Sequence, residues 1–468
     1  MTTAPTHAQT LAAAAPRVYW LDDPARPEPL PPLRGATSAD LVVVGGGYCG
    51  LWTALRAKER DPARDVVVLE AGRCGDHASG RNGGFASASL THGFGNGTAR
   101  WPRELPLLDR LGAENLLGLA ETVQRYGIDC HLEQTGELTV ATAPHQVDEL
   151  AALAGDLRAA GHDARLLDEA AVRAQLDSPT YLGGLWEPDA TMLVEPARLA
   201  WGLREACLRL GVRIHEGTRA VGLEETPGGV RVRTGSGHAD GERVALATNA
   251  FPPLLRRLRL MTVPVYDYVL MTEPLTPEQR DAVGWANRQG VGDASNLFHY
   301  YRLTRDDRIL WGGYDAVYRY RSRIDPVLEQ SGRTHELLAR HFFATFPQLE
   351  GLRFSHRWAG VIDTCTRFAA FFGTTYGGRV GYALGFTGLG VAATRFAADV
   401  VLDLLAGERT ERTELRMVRE RPLPFPPEPL RYAGVQLTRW SLARADARAG
   451  RRNLWLRTLD RAGLGFDS

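Results

Sequence analysis

The sequence predicts a mixed α/β (α+β) fold in which a parallel sheet covered on both faces is interleaved with an antiparallel one. Residues 41–44, Leu41-Val42-Val43-Val44, form a short apolar run, as expected of a strand buried on both faces. A second glycine-rich strand-to-helix junction lies at 379–404. Between the two, strand candidates rich in Val, Tyr and Leu recur at 262–274, 296–303 and 308–314.

The first run leads into Gly45, Gly47 and Gly50, the G-x-G-x-x-G spacing of a strand-to-helix turn. Gly45 permits the tight turn, Gly47 lets a pyrophosphate approach the backbone, and Gly50 lets helix and strand pack closely. The helix expected over 49–59, with Tyr48 and Cys49 at its start, offers free N–H groups and a positive dipole end to a diphosphate. Residues 65–69 read as the second strand, closed by Glu70, twenty residues past Gly50. A carboxylate there accepts hydrogen bonds from ribose hydroxyls and repels a 2′-phosphate. The Rossmann-like unit therefore suits the AMP half of FAD or NAD and not NADP. The second junction, Gly385, Gly388 and Gly390 before a long helix, favours FAD. Such a helix can point its N-terminus at an isoalloxazine and stabilise the negative charge that develops on reduction. An ordinary buried helix is the competing explanation of that junction taken alone.

The remaining elements follow in order. Residues 1–39 are Pro-rich and read as an arm on the surface. Residues 40–100 hold the first part of the FAD unit, including a loop of small residues over 74–97. An insertion at 101–185 carries helical patterns at 104–126 and 145–175, separated by a strand pair over 131–142 turning at Gly136. Residues 186–260 return to the FAD unit, with a helix over 196–210 ended by Gly211 and short strands at 212–214, 220–224, 230–233 and 243–248. A substrate domain is expected over 261–355, and the third FAD part over 356–408. The tail, 409–468, has a proline cluster and then Arg-rich helical sequence to which the sequence assigns no role.

Composition excludes several classes. Acidic and basic residues balance at 55 each, which gives no reason to expect nucleic acid or an anionic membrane as partner. Five scattered cysteines without C-x-x-C spacing argue against a disulfide framework and a metal site. The N-terminus lacks the pattern of a signal peptide and no run of apolar residues is long enough to span a bilayer, so a cytoplasmic protein is expected. Lys58 is the only lysine; arginine supplies the other 54 basic residues.

Over residues 20–408 the chain resembles the FAD-dependent amine and amino-acid oxidoreductases of the D-amino-acid oxidase superfamily, which includes glycine oxidase, sarcosine oxidase and γ-glutamylputrescine oxidoreductase. Ala78-Ser79-Gly80-Arg81-Asn82-Gly83-Gly84 is similar to the A-S-G-R-N-G-G loop of the γ-glutamylputrescine branch, which passes close to the flavin and its diphosphate. Thr218 to Val221 matches a segment whose backbone holds adenine, a role the resemblance gives to Val221. Thr248 and Asn249 match a strand end abutting the cofactor; Trp358 and Gly360 fit the pattern too. Gly385-Phe386-Thr387-Gly388-Leu389-Gly390 matches the C-terminal flavin motif. The cysteine that tethers flavin in monomeric sarcosine oxidases has no counterpart at its position, since Cys365 lies several residues beyond it. Dimethylglycine-type enzymes use a histidine near the place of Gly83 and Gly84, whereas His77 precedes that point. FAD bound without a covalent link is therefore expected. Lys58 lies on or beyond the first helix, away from any substrate, so it does not supply the lysine that some relatives use to activate O2.

The resemblance implies oxidation of a primary or secondary amine (an amino acid or polyamine derivative) to an imine, hydrolysed to a carbonyl compound. Electrons pass to O2 or to another carrier. The alternatives are a flavin enzyme of the same fold acting on a C–C or C–O bond, and a non-catalytic binding module. On the substrate side, Tyr266 and Tyr268 share one strand face, and Tyr300 and Arg302 share one face of another strand. An aromatic wall with a guanidinium can sandwich a substrate and grip a carboxylate. The competing explanation is a core aromatic stripe with Arg302 in a structural ion pair. His299, on the opposite face from Tyr300, reads as a packed or solvent-facing side chain.

Overall fold

The computed structural model describes residues 7–465. An eight-stranded sheet carries the Rossmann-like unit. Gly35–Val44 lies between Val66–Leu69 and Gly237–Leu246, parallel to both, with Val43 opposite Val68 and Ala245. Arg213–His215 extends one side; Val380–Leu384 and then antiparallel Phe371–Thr375 extend the other. Leu41 and Val43 face the helices Tyr48–Arg60, Pro196–Arg209 and Gly390–Ala406, while Val42 and Val44 face a second apolar layer with Val67 and Leu246. Both faces are covered, which explains the unbroken apolar run.

The second sheet has nine strands. Thr262–Thr272 pairs antiparallel along its length with Phe354–Cys365, and on its other side with Ile309–Gly313 and Val317–Tyr318. His299–Leu303, Gly290–Asp293, Glu137–Ala141, Gly183–Glu187 and Arg165–Asp168 follow in order; Gly290–Asp293 and Glu137–Ala141 run parallel. One face buries Tyr266, Tyr268, Tyr301 and Trp311 against the helix Gly332–Thr345 through Leu338 and Phe342. The other face looks toward the Rossmann-like unit.

Several expectations are corrected. The N-terminal arm is no surface strap: Leu11 and Ala14 pack in the core of the second sheet, and Val18 and Trp20 pack against Trp201, Met271 and Trp358. Burying a Val or Leu contributes about 1.5–3 kcal/mol, and the Ala15 backbone also exchanges hydrogen bonds with Ser355 and Arg357. The pattern over 145–175 is two helices, Pro144–Ala159 and Glu169–Gln175, separated by the strand Arg165–Asp168. The expected hairpin at Gly136 is a single strand, Glu137–Ala141, whose antiparallel partner is Gly183–Glu187. The small-residue loop holds the short helices Ala78–Arg81 and Phe94–Arg100 and the strand Phe85–Ser87. A boundary at 356 would cut the strand Phe354–Cys365, which belongs to the second sheet.

Candidate active site

A cavity of about 1280 Å³ lies between the glycine turn and the free face of the second sheet. Its cofactor wall is backbone. A Cβ at Gly50 would stand 1.8 Å from the Gly45 carbonyl oxygen, and one at Gly47 would stand 2.9 Å from Ser79 Oγ. Tyr48 N donates to Ser79 Oγ (2.9 Å), which ties the helix start to the 78–84 loop. The Tyr48 ring turns inward and its hydroxyl donates to the Pro196 carbonyl (2.7 Å), so Tyr48 offers the site backbone and not a phenol. Cys49 is buried beside it and burial pushes its thiol up to about 12. Glu70 accepts from Gly46 N and Gly72 N, both at 2.6 Å, which fixes its carboxylate behind the turn. A carboxylate has about four lone-pair sites, so acceptor capacity remains for a ribose.

The 78–84 loop is equally crowded. A Cβ at Gly80 would lie 2.2 Å from Gly75 O, at Gly84 2.0 Å from Val194 O, and at Gly83 2.7 Å from the Tyr300 ring. Asn82 Oδ1 accepts from Gly84 N (2.8 Å), and Arg81 pairs with Glu329 (2.6 Å) while donating to the Asp76 and Ala359 carbonyls. Trp358 is fully buried and donates to Arg81 O (2.9 Å); Gly360, two residues on, reaches the cavity. Asn249 lines the cavity in a left-handed conformation (φ 50°), and Thr248 precedes it outside the lining. Val221 is half exposed on Ala220–Thr226 and also lies outside the lining; the same segment meets Glu70 through Thr218 N and Glu70 O (2.7 Å).

The second glycine junction closes the cavity at the start of the helix Gly390–Ala406. Gly385, Thr387 and Gly388 all have positive φ, and Thr387, Gly388, Leu389 and Gly390 line the space. His92 meets the Thr387 carbonyl through Nε2 (2.9 Å). Asp363, on Phe354–Cys365, accepts from Gly385 N at 2.5 Å and is buried. Burial pushes its carboxyl up to about 7 against the pull of the loop amides. Sequence reasoning missed Asp363.

The sheet wall differs from expectation. Tyr300 does face the cavity, and its hydroxyl reaches over Gly312 of the intervening strand to donate to Asp267 on Thr262–Thr272. Burial pushes Asp267 up to about 6. Tyr266 and Tyr268 are on the opposite face. Tyr266 borders the cavity, but its hydroxyl accepts from Asp325 N (2.9 Å) and its ring stacks on Tyr268 at 6.3 Å; Tyr268 donates to Leu328 O (2.5 Å). They are core side chains. Arg302 shares the Tyr300 face but is sealed beneath the 78–84 loop at 1% exposure, outside the lining. Its guanidinium donates to Val194 O (2.7 Å), lies 3.6 Å from Glu133 and sits over the Trp20 ring. It cannot grip a substrate carboxylate from there. His299 is packed between Asp293 and Trp311.

Lys58 lies on the helix Tyr48–Arg60, as expected. Its ammonium ties the helix to the loop that follows by donating to the Arg64 carbonyl (2.9 Å). Cys365 is buried, with Sγ against the Ala369 carbonyl (3.2 Å). Among the described residues no helix is long and apolar enough to cross a membrane.

Comparison with known proteins agrees with this geometry. Residues 40–404 match the family DAO, FAD dependent oxidoreductase. The chain is 32% identical to gamma-glutamylputrescine oxidoreductase of Escherichia coli K12 over 409 residues, 83% of this chain and 89% of that protein. It is 30% identical to a probable oxidoreductase, OrdL, of Haemophilus influenzae over 84% of this chain and 88% of that protein. The crystal structure of glycine oxidase from Geobacillus kaustophilus superposes with a TM-score of 0.67 at 20% identity, covering 80% of this chain and 96% of that one. The backbone cradle fits FAD: Gly47, Ser79, Asn82 and the 386–390 loop line one cavity in which Gly47 and Gly83 leave no room for side chains, while Glu70 is buried behind the turn and outside the lining. The chain belongs to the DAO family of FAD-dependent oxidoreductases.

Proposed function

We propose that the chain oxidises the carbon beside an amine nitrogen of a primary or secondary amine, giving an imine that water hydrolyses to a carbonyl compound. The observation that carries this reading is the Tyr300–Asp267 pair, which meets the 78–84 loop inside one cavity with the 385–390 loop. The named activity of the E. coli relative supports it. When bound, FAD supplies the two-electron acceptor for the C–H bond. Above pH 6 Asp267 faces the substrate space as a carboxylate; the ammonium donates to the Tyr300 oxygen while the Tyr300 hydroxyl donates to Asp267, so the carboxylate takes up the proton and leaves the free amine for oxidation. The crowded glycine loops exclude water from the reacting face and fix its distance to the substrate. The cradle would hold FAD without a covalent link, and O2 or a protein or quinone carrier would accept the electrons.

Anaerobic titration tests the reading. The purified flavoprotein is mixed with glycine, sarcosine, D-amino acids, diamines and γ-glutamylputrescine in turn, and bleaching of the oxidised flavin band by one of them is the expected result. A loaded protein that no amine reduces, but a hydroxy acid does, would overturn it. Readmitting air then distinguishes oxidase from dehydrogenase.

A further inference from the structure

Away from the 78–84 loop the cavity floor carries two carboxylates on adjacent strands. Glu137 and Glu187 stand directly opposite each other in the antiparallel pair Glu137–Ala141 and Gly183–Glu187, and both line the cavity. Like charges in that position repel, and burial adds to the cost of ionising each. Thr191 donates to one Glu137 oxygen (2.7 Å), and no arginine or histidine forms an ion pair with either carboxylate among the described residues.

The cations around the same cavity are differently placed. Arg81 is paired with Glu329, Arg439 with Asp315 and His162 with Asp109. Each positive charge is answered within the protein, whereas Glu137, Glu187 and Asp267 face the cavity without a basic partner. Arg302, the residue the sequence offered for a carboxylate, is outside it. The space is therefore built for positive charge.

The position of the pair gives a length. Tyr300 is opposite Gly292, and Gly292 is opposite Thr139, two residues from Glu137 on the same strand face. The Tyr300 hydroxyl leans over Gly312 on the strand beyond, so three strand spacings across and two residues along separate it from the Glu137 backbone, about 15–16 Å, part of which the Glu137 side chain spans. A substrate reaching both ends is extended.

We propose that Glu137 and Glu187 bind a second ammonium group, so that the substrate class is an elongated diamine or polyamine whose far cation lies between them while the near nitrogen is oxidised beside Tyr300. This rests on the amine reading above for the near end only. The two carboxylates neutralise the far cation and are in turn relieved of their mutual repulsion, which restricts binding to ligands that carry charge at that distance.

The test uses the FAD-loaded enzyme and two probes of equal chain length, octylamine and 1,8-diaminooctane. Calorimetry measures binding to the holoenzyme, and anaerobic stopped-flow measures flavin reduction. The diamine is expected to bind about 30-fold more tightly than the monoamine, the scale of a buried charge contact. In Glu187→Gln and in the Glu137→Gln, Glu187→Gln double variant that ratio falls toward one. In Glu336→Gln, an exposed position on the helix Gly332–Thr345, it stays at the wild-type value. Equal binding of the two probes by wild type, or a ratio untouched in the double variant, overturns the proposal. Diamine-selective binding without flavin reduction upholds the ammonium site and overturns the placement of an oxidisable nitrogen of this class beside Tyr300. Should the double variant fail to fold, Glu187→Gln alone and the wild-type probe ratio still decide.

Discussion

The two walls of the cavity are made of different material. The cofactor wall is backbone: glycines whose neighbours leave no room for a Cβ, amides aimed at Glu70 and Asp363, and a helix end. The substrate wall is a sheet face on which side chains do everything, and Glu137, Glu187 and Asp267 lie on three of its strands. A backbone wall cannot tolerate an added atom, yet carries little chemistry of its own. A side-chain wall tolerates isosteric exchange sterically, and every such exchange changes its charge. Substitutions on the two walls should therefore fail in different ways.

The largest effect is expected from Gly50→Ala. Its methyl would meet the Gly45 carbonyl at 1.8 Å, and neither backbone segment can yield without breaking the strand-to-helix turn. The protein should purify without flavin, read as loss of the visible flavin band per mole of chain. Full flavin content in that variant would break the contrast between the walls.

Next comes Asp267→Asn, which keeps volume and removes charge. The variant should hold FAD normally and reduce it about 100-fold more slowly, the usual scale of a lost proton-transfer partner. The pH profile gives the sign. Asp267 has its carboxyl raised to about 6, so the wild-type rate falls as pH drops through 6 and the carboxylate protonates. That acid limb should be absent in Asp267→Asn, and stopped-flow reduction across pH 5 to 8 would show it. A persistent limb would move the titrating group elsewhere on the wall.

These two sites also show what the sequence made legible. The cofactor wall was readable because its chemistry is local: Gly45, Gly47, Gly50 and Glu70 lie in one strand-turn-helix-strand run, and spacing alone reports it. The substrate wall depends on which face of a strand meets the cavity. Alternation placed Tyr266 with Tyr268 and Tyr300 with Arg302 correctly, but period 2 does not say which face is which. Asp267, between the two tyrosines, was the residue turned to Tyr300. Asp363 and the Glu137–Glu187 pair are set by cross-strand register between segments far apart in sequence. The arm failed for another reason: prolines marked it as irregular, and irregular was read as superficial, although Trp20 donates to the Asn82 carbonyl from inside the core.

Asp363→Asn probes the boundary between the walls through stability. A carboxyl raised to about 7 in the folded chain takes up its proton more tightly there than when unfolded. Its stabilising contribution is complete below the unfolded value and is lost as pH rises through about 7. Wild type should therefore lose about 2–3 kcal/mol between pH 5 and pH 8 from this group, a loss the asparagine variant is spared. Thermal melts of the flavin-free chain at the two pH values measure it. Parallel pH dependence in both proteins would mean that the loop amides compensate the buried charge fully.

The smallest effect belongs to the far side of the sheet. Tyr268 donates to the Leu328 carbonyl (2.5 Å), and its ring meets His335 edge-on at 5.4 Å, all on the face away from the cavity. Tyr268→Phe keeps the ring packing and removes two hydrogen bonds, the one donated to Leu328 O and one accepted from Arg319 (3.3 Å), a cost of about 1–3 kcal/mol. The expected result is a melting temperature lowered by about 1–3 °C, since about 1 kcal/mol shifts a chain of 468 residues by about 1 °C, with flavin reduction by amine at the wild-type rate. Tyr300→Phe makes the same chemical change one strand face away, and there the hydroxyl removed is the donor to Asp267. The pair of variants thus exchanges one oxygen atom on each side of a single sheet. Slower reduction in Tyr300→Phe alone assigns the chemistry to the cavity face; equal slowing in both would mean that the sheet transmits the change and that the two faces do not act separately.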